Sequence, residues 1–160
     1  MERKKVLFVC TYHGARSRIA EEFVKRIAPG RIEAYSSCFA PFKIGPLPID
    51  VMREVGIDLP SESPKPVFYI HKKEGDIFDY VICLCQEIST EQCPLFKKSI
   101  AMLYSKKAET MSWSIQDFKS LNGTEEEKKA GARIIRDTIK SEVISFIAQI
   151  GVDTELDTKT

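Results

Sequence analysis

Cys10-Thr11-Tyr12-His13-Gly14-Ala15-Arg16-Ser17 is the segment of this 160-residue chain best equipped for chemistry. A thiol ends the apolar run Val6-Leu7-Phe8-Val9, an arginine follows six positions later, and a hydroxyl follows the arginine. This C-x5-R-[ST] spacing suits a tetrahedral oxyanion. A strand delivers Cys10 to the C-terminal edge of a sheet, and the loop of Thr11, Tyr12, His13, Gly14 and Ala15 curls round the sulfur. The loop N–H groups point inward, and the helix that follows aims its positive end at the same point. Arg16 returns to the loop rim, where its planar fork can hold two equatorial oxygens. The same field favours a thiolate on Cys10, so one device prepares nucleophile and substrate. The competing reading is a buried structural cysteine with a surface arginine on the next helix. The strand before and the helix after speak against it, because a motif is tested by its context.

A second group is Cys85-Gln86-Glu87-Ile88-Ser89-Thr90-Glu91-Gln92-Cys93-Pro94, two thiols in a polar segment after a strand. Polar residues between thiols suggest an exposed, mobile loop, and a disulfide relay needs a thiol that travels. Bonding requires alpha-carbons roughly 5–6 Å apart. The alternative is a core Cys85 and an incidental Cys93, since free cysteine packs as a small hydrophobe. Cys83, inside an apolar run, and Cys38, after a short strand, are read as structural. Asp117 follows an apolar segment late in the chain and could protonate a leaving oxygen; taken alone, it is one of many surface acids.

The elements that must position these groups follow from periodicity. Val6–Val9 reads as a buried strand. Ser17–Ala28 reads as an amphipathic helix with Ile19, Phe23, Val24 and Ile27 on one face, stopped by Pro29-Gly30. Ile32–Ser36 is a short strand, and a helix runs from Leu47 to about Val55, ended by Gly56. Val67–Lys73 is another helical turn or two. Ile77–Leu84, apolar and β-branched, is the candidate central strand. The last strand falls around Met102–Tyr104 or Thr110–Trp113. Glu125–Ile150 is a long helix with Ile134, Ile135, Ile139, Val143 and Ile147 on one stripe. The order β-α-β-α-(α)-β-β-α predicts an α/β fold, a small four-stranded parallel sheet flanked by helices on both faces. Ligands of such sheets sit outside the strand C-termini, where Cys10 and Cys85 both fall.

Composition bounds the rest. The length fits one domain, read as 1–150 with a polar tail over 151–160. A net charge of +1 gives no general case for nucleic acid or anionic membrane as partner. The N-terminal apolar run is too short for a signal peptide or membrane span, so the expected location is cytoplasmic. Five cysteines are an odd count, which points to reactive or buried thiols over a disulfide framework. His13 and His71 are not spaced near them as zinc ligands usually are, and no metal or cofactor is expected.

Taken with the order of elements, Cys10…Arg16-Ser17 resembles the low-molecular-weight protein tyrosine phosphatase superfamily, over roughly residues 4–150. Within it the chain is most similar to the thioredoxin-coupled arsenate reductases. Cys10, Cys85 and Cys93-Pro94 match their three cysteines, and Trp113…Asp117 matches the late segment carrying the general acid. The helix around Ala132–Ile139 resembles their C-terminal helix. Tyr12-His13 stands where family loops usually have Gly-Asn, Ala15 replaces a frequent cysteine, and Phe118 replaces proline after the acid. The resemblance implies a low-molecular-weight phosphatase-like fold and thiol-dependent reduction of arsenate by a Cys10-Cys85-Cys93 relay, recycled by thioredoxin. In that relay Ser17 donates to the Cys10 sulfur, Arg16 holds the oxyanion and Asp117 is the acid. The runner-up that it also implies is phosphomonoester hydrolysis through phosphocysteine at Cys10. A third reading is a non-catalytic oxyanion-binding or redox-sensing module, which a Cys10 of ordinary acidity would favour.

Overall fold

Val6, Leu7, Phe8, Val9 and Cys10 all have zero exposure, which alternation in a one-sided sheet cannot produce. They form an interior strand covered on both faces. The computed structural model describes residues 3–12, 15–40, 43–86, 93–104 and 106–154, with the side chains of Tyr12, Cys93 and Leu95 outside that description. Along the chain come β1 (Lys4–Tyr12), α1 (Ala15–Ile27), β2 (Ile32–Ala40), α2 (Pro46–Arg53) and α3 (Val67–Glu74). There follow β3 (Tyr80–Cys85), α4 (Cys93–Tyr104), β4 (Glu109–Ser114), a 3-10 turn (Phe118–Ser120) and α5 (Glu125–Gln149). The four strands are parallel in the order β2-β1-β3-β4, as expected of the α/β class.

The pleat divides the core. Val6, Phe8 and Cys10 point to one face, with Ile82 and Leu84 of β3, and meet Ile19 and Phe23 of α1 and Ile135 and Ile139 of α5. Leu7 and Val9, with Val81 of β3, point to the other face and meet Val67 of α3 and Ile100 and Tyr104 of α4. Each large side chain so buried stabilises by about 1.5–3 kcal/mol relative to exposure. The Pro29-Gly30 stop after α1 and the Gly56 stop after α2 use positive φ at both glycines, 71° and 79°.

The structure decides one alternative and corrects two expectations. Met102–Tyr104 is the last turn of α4, so Thr110–Trp113 is the segment that forms the fourth strand. Ile134 is 66% exposed and off the buried stripe, which Ala132, Ile135, Ile139, Val143, Phe146 and Ile147 form instead. Cys93 is the first residue of α4, and the polar residues 87–92 before it lie outside the described residues. Pro94 in the first turn explains the position, since proline's missing N–H costs nothing there.

α2 is fastened to α5 by charge. Glu54, just beyond α2, accepts from Arg133 Nε at 2.9 Å and Nη2 at 2.8 Å, and from Arg136 Nη1 at 2.9 Å. Arg136 Nη1 also donates to the carbonyl of Val51 at 2.8 Å. These bonds hold Glu54 ionised far below the ordinary carboxylate range, at about 2. No helix among the described residues is long and apolar enough to cross a membrane.

Candidate active site

β1 carries Cys10 to the C-terminal edge of the sheet, where it lies in register with Leu84 of β3 and Cys38 of β2. α1 begins at Ala15, so its positive end meets the sulfur as the spacing predicts. Ser17 presents two groups to Cys10, a hydroxyl 3.1 Å from Sγ and a backbone N–H that bonds the sulfur. The hydroxyl also donates to the carbonyl of Ser37 at 3.0 Å. One proton cannot serve both, so with Ser17 committed to Ser37, the Cys10 S–H donates to Ser17 Oγ.

While Cys10 is neutral the Ser17 hydroxyl proton rests on Ser37, and ionising Cys10 draws that proton to the sulfur. Burial pushes the Cys10 pKa up, and the Arg16 charge and the Ser17 bonds pull it down without overcoming the burial. The Asp117 charge adds a smaller upward push. Cys38 is likewise buried and raised to about 11.

Arg16 is 1% exposed instead of standing at a rim. Its Nη1 donates to the carbonyl of Ile115 at 3.0 Å and its Nη2 to the Thr11 hydroxyl at 3.0 Å. The guanidinium thus ties α1 to the segment between β4 and the acid. Thr11 and Tyr12 continue β1 and are not part of a free loop, and the Thr11 hydroxyl serves Arg16. His13 and Gly14 lie outside the described residues.

Arg16, Ala15 and Asp117 meet at one cavity of about 290 Å³. Leu47 and Pro48 of α2 and Phe118 give it an apolar wall, with Lys43 and Lys119 completing it. Asp117 caps the 3-10 turn, its Oδ1 accepting from the N–H of Lys119 at 3.2 Å. Its own N–H donates to Gln86 Oε1 at 3.3 Å, linking the acid to the residue after Cys85. Gln86, Lys43 and the α2 wall escaped sequence reasoning. So did the carbonyls of Ser37 and Ile115, for which a sequence holds no signal.

Cys85 lies one residue beyond the Cys10–Leu84 pairing, at the same edge. It shares a face of β3 with Cys83, the face opposite to Cys10. Cys10, Cys38 and Cys83 are not in disulfides, whereas Cys85 is disulfide-bonded. The side chain of Cys93 lies outside the described residues.

The chain that carries this arrangement is similar over most of its length to known proteins. The arsenate reductase of Bacillus subtilis (strain 168) is 28% identical over 149 residues, covering 91% of this chain and 96% of that protein. A solved arsenate reductase in its oxidized state shares the fold with a TM-score of 0.68 at 27% identity, covering 92% of this chain and 99% of that one. The low molecular weight protein tyrosine phosphatase of Streptococcus pyogenes shares the fold alone, with a TM-score of 0.56 at 21% identity, covering 87% of this chain and 92% of that one. The family model for low molecular weight phosphotyrosine protein phosphatase matches residues 5–156, nearly the whole chain, and the protein is a member of that family.

Proposed function

We propose that this chain is an enzyme that reduces arsenate to arsenite, passing the oxidation from Cys10 through Cys85 to Cys93. The Cys10 thiolate attacks arsenate, and Asp117 protonates the departing oxygen, which leaves as water. Arg16 and the start of α1 balance the charge of the thiol–arsenate adduct. The Cys85 thiolate then attacks Cys10 Sγ. The sulfur–arsenic bond breaks, its electron pair stays on arsenic, and arsenite departs. Cys93 attacks Cys85 and releases Cys10 as thiolate. The resulting Cys85–Cys93 disulfide takes two electrons and two protons from a dithiol protein, thioredoxin in the simplest case.

One observation carries the proposal. Cys85, one residue past the register partner of Cys10, is already oxidised to a disulfide and faces away from Cys10. That is the arrangement expected after the relay has run, with Cys10 restored as a shielded thiol. The similarity to arsenate reductases over most of the chain supports the same reading.

The test is arsenate-dependent NADPH consumption with thioredoxin and thioredoxin reductase, compared with Cys85→Ser. Turnover that disappears in the variant is expected. A variant with full multiple turnover would sink the relay.

Phosphomonoester hydrolysis is the second reading, favoured by the cavity. The apolar wall of Leu47, Pro48 and Phe118 suits an aryl group whose phosphate reaches Arg16. It needs Cys10, Arg16 and Asp117, and neither Cys85 nor Cys93. Hydrolysis of a simple aryl phosphate, lost in Cys10→Ser and retained in Cys85→Ser, would establish it. The raised Cys10 favours the third reading, an oxyanion binder or redox sensor, and turnover in either assay rejects that.

A further inference from the structure

On the relay reading, a protein dithiol must reach the oxidised pair. Cys85 has no exposed surface, so the incoming thiolate attacks the other sulfur, which that reading assigns to Cys93, the first residue of α4. A partner seated there covers the surface one helical turn away, and that surface is aromatic. Phe96, three residues into α4, stacks on Phe39 at the end of β2 with ring centroids 4.4 Å apart. Phe39 meets Phe68 of α3 edge to face at 6.2 Å. Phe68 is 56% exposed and Tyr69 beside it 46%. Clustered aromatics facing solvent are a property of interaction surfaces. α3 and α4 carry Lys72, Lys73, Lys97 and Lys98 against the single acid Glu74. Lys65 and Lys73 lie over the Tyr69 ring at 5.9 and 5.8 Å.

We infer that the Phe39–Phe68–Phe96 face is the docking surface for the protein dithiol reductant, a partner whose attacking cysteine sits in an apolar surface with an acidic rim. The inference rests on the relay of Cys10, Cys85 and Cys93. The aromatic centre supplies contact that excludes water, and the lysines steer the acidic rim into place. The partner's thiolate attacks the Cys93 sulfur, the Cys85–Cys93 bond breaks, and a mixed disulfide forms. The partner's second thiol closes its own disulfide and leaves both chain cysteines reduced.

Two variants test this, Phe68→Ser and the charge reversal Lys72→Glu with Lys73→Glu. Each is assayed on arsenate with thioredoxin and its reductase, and again with dithiothreitol as sole reductant. In both variants the KM for thioredoxin is expected to rise about fivefold or more, a loss of about 1 kcal/mol. Dithiothreitol-driven turnover is expected at the wild-type rate, and wild-type KM is expected to rise with ionic strength. A thioredoxin KM unchanged in both variants overturns the docking surface and leaves the relay standing. Equal losses with both reductants also overturn it. A wild-type protein inactive with both reductants removes the relay, and this inference with it. A dimer that Phe68→Ser dissociates would give the face to a second copy and overturn the assignment.

Discussion

Ser17 holds one proton between two acceptors, and Ser17→Ala measures what that proton does for Cys10. With Cys10 neutral, its S–H donates to Ser17 Oγ across 3.1 Å while Ser17 O–H donates to the Ser37 carbonyl across 3.0 Å. When Cys10 ionises, the hydroxyl must turn to the sulfur and give up Ser37. A hydrogen bond to a charged group is worth about 1.5–3 kcal/mol and the neutral one it replaces about 1, so the hydroxyl favours the thiolate by about 0.5–2 kcal/mol. That corresponds to about 0.4–1.5 pH units in the Cys10 titration. Burial already raises this pKa, so Ser17→Ala moves it further up. At a fixed pH below it, kcat/KM falls about 3- to 30-fold.

The fully buried sulfur makes alkylation a poor probe, so the assay is an NMR titration of 13Cβ-labelled cysteine, with Cys10→Ser assigning the resonance. Ser17→Thr keeps the hydroxyl and should titrate as wild type. The Ala variant also leaves the buried Ser37 carbonyl without its donor, costing about 1–3 kcal/mol of stability in denaturant unfolding. A Cys10 that titrates in Ser17→Ala at or below the wild-type value refutes the reasoning. Ser17 would then serve only to hold Ser37.

Arg16→Lys replaces a fork bonded to Ile115 and Thr11 with one ammonium that cannot span both, and kcat should fall about 100-fold or more while circular dichroism stays native. Glu54 is depressed to about 2, so its stabilisation is complete above the ordinary carboxylate pKa of 4.5 and is lost as pH falls from there toward 2. Glu54→Gln should flatten acid unfolding in that window; an unchanged pH profile would deny the clamp. Cys38 is raised from the usual 9.0 to about 11, so its buried thiol stabilises below pH 9 and that stability is lost as pH rises toward 11. Thermal melts of Cys38→Val should decline less than wild type across that interval. Phe146 is 2% exposed and meets the rings of Tyr80 at 5.2 Å and Trp113 at 6.2 Å, so Phe146→Ala should cost about 3–5 kcal/mol in denaturant unfolding.

Elements that bury one consistent face were legible in the sequence. β1 announced itself because five adjacent residues must all be covered, and α1 and α5 because their apolar spacing fits only a helix. α4 was not legible. Cys93-Pro94-Leu95-Phe96 reads as the end of a polar loop, and Met102-Leu103-Tyr104 has the apolar run of a strand. What makes it a helix is tertiary, since Ile100 and Tyr104 fill the space above Leu7 and Val9. Ile134 was misassigned to the α5 stripe because Ile134 and Ile135 look alike as residues, while only Ile135 points inward.

The site was legible as a set of residues and not as a geometry. The C-x5-R-[ST] spacing singled out Cys10, Arg16 and Ser17, the end of an apolar strand singled out Cys85, and the family resemblance singled out Asp117. The partners that decide their state are backbone carbonyls, Ser37 for Ser17 and Ile115 for Arg16, brought in by strands that pair only after folding. The same pairing sets a problem that the motif alone conceals. Cys10 and Cys85 end neighbouring strands at one edge, yet the pleat sends their side chains to opposite faces. A direct attack of one on the other requires the chain at Cys85-Gln86 to rotate out of the strand. Gln86 Oε1 accepts from the N–H of Asp117, so that rotation breaks a bond to the acid loop. The thiol relay and the positioning of the acid are therefore coupled through Gln86. Gln86→Ala should loosen Asp117 and ease the rotation together, lowering single-turnover adduct formation while the Cys10-to-Cys85 transfer holds or quickens. Rapid-quench trapping of the cysteine states would separate the two steps, and equal slowing of both would break the argument.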